Sequence, residues 1–93
     1  MGAEQKPWKI EIHRVAEKGI KRLPKDFVQP VWEKIKSLAE DPRPDGYTQV
    51  RGFRDIYRVR VGGYRIVYSI IEDRLIILVL EVGPRGKSYR GRY

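Results

Sequence analysis

Tyr57-Arg-Val-Arg-Val-Gly-Gly-Tyr-Arg-Ile-Val-Tyr68 is the stretch that decides how this chain folds. Two alternating runs of valine, isoleucine and tyrosine flank a glycine pair, the pattern of two antiparallel strands joined by a two-residue turn. Pairing across Gly62-Gly63 sets Arg60 opposite Arg65. Side chains alternate between the faces of a strand, so Arg58 joins these two. Tyr57, Val59, Val61, Tyr64, Ile66 and Tyr68 share the other face, which makes the better core. Like charges set opposite each other destabilise a sheet. An arrangement that costs stability points to a use, and converging guanidinium groups are suited to holding an anion.

Working outward, Arg51 and Arg54 lie just upstream, so five arginines fall within residues 51–65 with one acid, Asp55. Downstream, Gly83 to Tyr93 carries Arg85, Lys87, Arg90 and Arg92 and no acid. The whole chain has 20 Lys plus Arg against 12 Asp plus Glu, a net charge of +8 over 93 residues. Such an excess, clustered in this way, implies a polyanionic partner, with nucleic acid first. Arg51, Arg54, Lys87, Arg90 and Arg92 are the candidate backbone contacts. There is no cysteine, which excludes disulfides and thiolate zinc sites and is compatible with a reducing cytoplasm. No run approaches the roughly 18 apolar residues of a membrane span, and Met1 to Lys6 has no apolar signal core. A cytoplasmic location with no membrane contact is expected. No metal or cofactor motif is present.

The remaining elements follow from periodicity. Trp8-Lys-Ile-Glu-Ile12 alternates and predicts a first strand. His13 to Leu23 predicts a short helix, weakened by Gly19 and stopped by Pro24. Asp26 to Glu40 predicts a second, with Phe27, Val31, Ile35 and Leu38 on one stripe. Pro30 requires that helix to start late or to kink. Asp41 to Gly46 has loop chemistry, and Tyr47 to Val50 is a short extended stretch. Glu72-Asp-Arg74 reverses the chain into Leu75 to Leu80, apolar on both faces and therefore a central or well-covered strand. The plan is α+β in a single domain: two N-terminal helices on one face of a small, mainly antiparallel four-stranded sheet. The arginine face is expected to be the open one. Trp8 and Trp32 are expected to be packing residues.

Gly52-Phe-Arg-Asp-Ile-Tyr-Arg-Val-Arg-Val-Gly-Gly-Tyr-Arg-Ile-Val-Tyr68, followed by Leu80-Glu-Val-Gly-Pro-Arg85, resembles the RelE toxins of the RelE/ParE superfamily. Ala16, Leu23-Pro24, Asp41-Pro42 and Val50-Arg-Gly52 agree, so the resemblance spans nearly the whole chain. It implies a toxin of a type II toxin–antitoxin system, restrained by a RelB-like antitoxin. The implied activity is ribosome-dependent endoribonuclease cleavage of mRNA in the A site, by attack of a ribose 2′-hydroxyl on its adjacent phosphodiester. Matched to the family pattern, Arg58, Arg60, Arg65 and Arg85 are the catalytic arginines. Tyr89 is the nearest candidate for the family's tyrosine, with Tyr93 as its alternative. Pro84 departs from the pattern, which has a basic residue or histidine there. Two other readings share these residues: a ParE-type gyrase inhibitor, and a non-catalytic ribosome- or RNA-binding module.

Cleavage by an internal 2′-hydroxyl needs a base, an acid and cations for the pentavalent transition state. Arginine supplies the cations, since its planar fork matches phosphate oxygens and keeps its charge. It is a poor proton carrier, and the single histidine, His13, sits at a strand–helix junction. The group acting as general base is therefore left open. Arg65 has a structural alternative, an ion pair with Glu81 on the neighbouring strand.

Overall fold

A computed structural model describes residues 8–84. Five strands and two helices form one layer of helix on one sheet: β1 Lys9–Ile12, α1 Arg14–Lys21, α2 Lys25–Leu38, β2 Thr48–Gln49, β3 Ile56–Val61, β4 Tyr64–Ile71 and β5 Ile76–Pro84. The strand order is β1-β5-β4-β3-β2. All neighbours are antiparallel except β1, which runs parallel to β5. The sheet thus has five strands rather than four. The additional one, β2, is two residues long and pairs only with Tyr57 and Arg58, too little for a periodic signal. Among the described residues no helix is long and apolar enough to cross a membrane.

The hairpin has the register that its glycines dictate. Val61 faces Tyr64, Arg60 faces Arg65 and Val59 faces Ile66. Gly62 takes a left-handed φ of 60°, which a residue with a side chain adopts only at a cost. The tyrosine–valine face packs under the helices: Val59, Ile66 and Tyr68 are buried with Ala16, Ile20, Leu23, Val31, Ile35 and Leu38. Tyr57, Val61 and Tyr64 pack on this core, half-buried.

α1 lies against β5. Gly19 sits so close to the Val82 carbonyl that a Cβ there would overlap it, so helix and strand meet backbone to backbone. The glycine that weakens the helix in isolation is what docks it. α2 buries Val31, Ile35 and Leu38, and Phe27 packs on Tyr64 with ring centroids 4.7 Å apart. The helix neither starts after Pro30 nor ends there, since Pro30 lies inside it on the exposed side. Trp8 packs against the core. Trp32, by contrast, is exposed, because it stands about 100° around the helix from Val31.

β5 is central, flanked by β1 and β4. Leu75 is not part of it. That residue closes the Glu72–Arg74 turn in the left-handed conformation, φ 55°, and is exposed. Further along, Tyr68 pairs with Val79 but Val67 pairs with Glu81. Leu80 is therefore one residue more than β4 supplies, a β-bulge. Val82 returns to the helical core, while Leu80 joins a second cluster on the opposite face.

Loop 41–47 is tied to the sheet by Tyr68, whose hydroxyl donates to the Pro42 carbonyl at 2.7 Å. Arg43 pairs with Glu72 at 2.8 Å and lies 6.0 Å from the Tyr57 ring centroid. Its hydrogen bond with Glu72 raises the guanidinium above its ordinary pKa. Burial, reinforced by Tyr47, pushes the Tyr68 phenol well above its own. A raised folded-state pKa means that the neutral phenol is favoured. Stability from this group is complete below the unfolded value of about 10 and is lost as pH climbs beyond it. Tyr68→Phe is expected to lose about 1 kcal/mol near neutrality. Its melting temperature is expected to fall less steeply than the parent's in strong alkali, as followed by thermal unfolding across pH.

Candidate nucleic-acid interface

Arg58, Arg60 and Arg65 share the face opposite the helices, as the hairpin pattern predicts, but in three environments. Arg60 is exposed, Arg58 is half-buried, and Arg65 is buried. Backbone bonding explains the closeness of one pair. Ile70 N–H donates to the Asp55 carbonyl, so odd-numbered β3 residues bond to β4 and Arg60 and Arg65 form a non-hydrogen-bonded pair. Opposed side chains come nearest in such a pair.

The arginine face is not wholly open. Val50, Ile56, Val67 and Leu80 form a second buried cluster on it, with Phe53 and Leu78 packed alongside. Residues 50–54 therefore fold over the lower part of this face. Gly52 turns with φ +88°, and the Gln49 side-chain amide donates to the carbonyls of Phe53 and Arg54 at 2.9 and 2.8 Å. This clamp fixes the loop that carries Arg51 and Arg54, both exposed. The loop's turn chemistry alone does not predict that it folds back over the sheet. Its apolar anchors, Val50 and Phe53, were the available signal.

Arg65 is 5% exposed and Glu81 9%. Both lie on this face, Glu81 opposite Val67 and Arg65 opposite Gly83, one step apart diagonally. A buried guanidinium is tolerated when a compensating charge shares its surroundings, and Glu81 is the buried carboxylate among the described residues. Arg58 and Arg60 line a groove of about 400 Å³ with Lys34, Asp45, Gly46 and Thr48. It lies at the β3 edge, beyond the point where β2 ends. Lys34 belongs to this cationic group and was not picked out from its helical position. Arg85, Lys87, Tyr89, Arg90 and Arg92, with Tyr93, lie outside the described residues.

His13 belongs to a different part of the molecule. Its Nδ1 accepts the Val15 N–H at 3.1 Å, making it the N-cap of α1. β5 and β4 separate its strand from β3. Among the described residues no group of three or more metal-ligating side chains occurs.

The profile describing the ParE toxin of type II toxin–antitoxin systems matches residues 10–89. The chain belongs to the RelE/ParE toxin superfamily. RelE1 of Methanocaldococcus jannaschii is 30% identical over 84 residues, which span 87% of this chain and 93% of that protein. The mRNA interferase toxin RelE of Escherichia coli K12 is 29% identical over 81 residues, 85% of this chain and 84% of the relative. Among solved structures, the archaeal RelE–RelB complex from Pyrococcus horikoshii OT3 superposes with a TM-score of 0.75 at 29% identity. That match covers 88% of this chain and 99% of the other. The chain is a RelE-like toxin in sequence and in fold.

His13→Ala is expected to cost about 1 kcal/mol through loss of the cap, and His13→Asn to restore most of it. Urea unfolding of the three proteins measures both changes.

Proposed function

We propose that this RelE-like toxin cleaves mRNA in the ribosomal A site and is held inactive by a RelB-like antitoxin. The observation that carries the reading is the opposed Arg60–Arg65 pair with Arg58 on one sheet face. Such a cluster costs folding stability and suits a phosphodiester. In the proposed step the 2′-oxygen attacks the adjacent phosphorus and the P–O5′ bond breaks. The hydroxyl proton passes to a base and the 5′-oxygen takes up a proton. A 2′,3′-cyclic phosphate and a 5′-hydroxyl result. Arg58 and Arg60, together with Arg85 on the family pattern, would neutralise charge that grows on the phosphoryl oxygens. Arg65 would hold the phosphate from within the sheet. Tyr89 is the proposed partner for proton transfer or base stacking.

Among the described residues, Asp45 is the carboxylate that lines the groove with Arg58 and Arg60, and no histidine joins it there as the second member of an acid–base pair. General acid–base work is worth roughly 10²–10⁴ in rate. Without it, alignment of the 2′-hydroxyl must supply more of the acceleration, and a ribosome-held messenger is aligned where a flexible strand is not. Cleavage is therefore expected to need ribosomes. Cut mapping on one messenger, bare and in a translation complex, tests this, and comparable cuts on the bare strand would overturn it. Arg60→Ala is expected to lose about 10²–10³ in cleavage rate while its melting temperature stays level or rises, since a like-charge pair is relieved. Arg65→Ala is a poorer probe, because it leaves the buried Glu81 uncompensated.

A second reading, inhibition of DNA gyrase, is supported by the ParE description of the matching profile. A supercoiling assay separates the two: loss of gyrase activity with an intact messenger would favour it.

A further inference from the structure

We infer that the groove at the free edge of β3 is a nucleobase site, in which Asp45 and the backbone of Arg60 read the Watson–Crick edge of a guanine. The inference rests on the cleavage reading above and deepens it. A base lodged there belongs to the nucleotide whose phosphate meets Arg58 and Arg60.

Strand pairing leaves this edge open. β2 ends at Thr48, opposite Arg58. Odd-numbered residues of β3 bond to β4, so the N–H and C=O of Arg60 point the other way, past the end of β2. Among the described residues no backbone group meets them. An unpaired strand edge presents a donor and an acceptor at fixed spacing. The groove beside it has a volume of about 400 Å³, within the roughly 300–1,000 Å³ of small-molecule sites and enough for one nucleoside.

Its lining is not that of a phosphate site alone. Lys34, Arg58 and Arg60 supply cations, but Asp45 stands among them. A carboxylate repels a phosphate, and this one forms no ion pair among the described residues. Nor does the local fold ask for it. The turn from Pro44 is closed by the Tyr47 N–H on the Pro44 carbonyl and needs the left-handed φ of 88° at Gly46. Among the described residues the Asp45 side chain makes no hydrogen bond that would support that turn.

An ionised carboxylate only accepts. Guanine alone among the bases offers it two parallel donors, N1–H and the 2-amino group, with O6 beside them to accept from the Arg60 N–H. Uracil offers one ring N–H flanked by two carbonyls, whose lone pairs the carboxylate repels. The rim supplies a surface for the face of the base. Tyr47 lies between Gly46 and Thr48, which both line the groove, and it is exposed. Its ring is braced at 5.5 Å on Tyr57, which stands 6.0 Å from Tyr68. Exposed rings of this kind are stacking platforms for single-stranded RNA.

The test uses the full chain and 2′-O-methyl pentanucleotides, which have no free 2′-hydroxyl to attack. Each is a uridine strand with guanosine, inosine or uridine at its centre. Inosine differs from guanosine only in lacking the 2-amino group. Binding is followed by fluorescence anisotropy at about 50 mM salt. The guanosine strand is expected to bind about threefold to tenfold more tightly than the uridine strand, with inosine between them. Asp45→Asn keeps the shape and removes the charge, and it is expected to bring the guanosine and uridine strands within about twofold of each other. Equal affinity of the parent for the three strands would overturn the inference. So would a uniform gain on all three in Asp45→Asn, since Asp45 would then act as a charge alone. The amide resonance of Arg60 is expected to move with the guanosine strand and to stay in place with an abasic centre. The same movement with both would put a phosphate, not a base, at this edge and would also overturn the inference. Guanosine-selective binding without cleavage on ribosomes would leave this site standing and remove the cleavage reading alone.

Discussion

The phase of the sheet is set at Gly62-Gly63, and the division between core and interface depends on it. A two-residue turn fixes which residue of β3 faces which of β4, and a slip of one would turn one strand over relative to the other. Either Arg58 and Arg60 of β3 or Arg65 of β4 would then lie beneath the helices, with that strand's apolar residues on the opposite side. The same turn also fits the helical layer. A side chain on Gly62 would stand 2.6 Å from Cε1 of Phe27, the residue that brings the start of α2 onto Tyr64. Register and helix docking are thus conditions on the same position, which makes the turn intolerant of replacement twice over.

The three arginines of the hairpin sit at different depths. Arg60 meets solvent at the edge strand, Arg58 is half covered, and Arg65 is enclosed near Glu81. A buried guanidinium is rigid and its neighbours are fixed, which suits it to defining a position. An exposed one is mobile and screened, and contributes more to attraction at a distance. The second apolar cluster under residues 50–54 covers the lower part of the same face and leaves Arg60 in solvent.

Much of this was legible in the sequence, and for definable reasons. The hairpin register follows from side-chain alternation and a glycine pair. The buried stripe Val31, Ile35, Leu38 follows from spacings of four and three, and the centrality of β5 from a run apolar on both faces. What was hidden depends on contacts distant along the chain. Two residues of β2 carry no period. Leu75 has the composition of a strand residue but serves as a turn. Pro30 lies inside α2 on its exposed side, where no periodicity announces it. The role of His13 as a cap and that of Gln49 as a clamp are single hydrogen bonds with no pattern around them.

The bulge at Leu80 has a consequence for the end of the chain's last strand. Below it, even-numbered residues of β5 such as Leu78 face the arginine side. Above it, Glu81 and Gly83 do, and Val82 is in the helical core. The strand is therefore written in two reading frames joined by one inserted residue. Deleting Leu80 would merge the two frames into one alternation, with Val79 and Val82 still toward the helices and Glu81 still opposite Val67, so the change of frame is not what sets the side of Glu81. What the added residue supplies is an apolar side chain of its own, Leu80, which joins Val50, Ile56 and Val67 beneath the loop of residues 50–54.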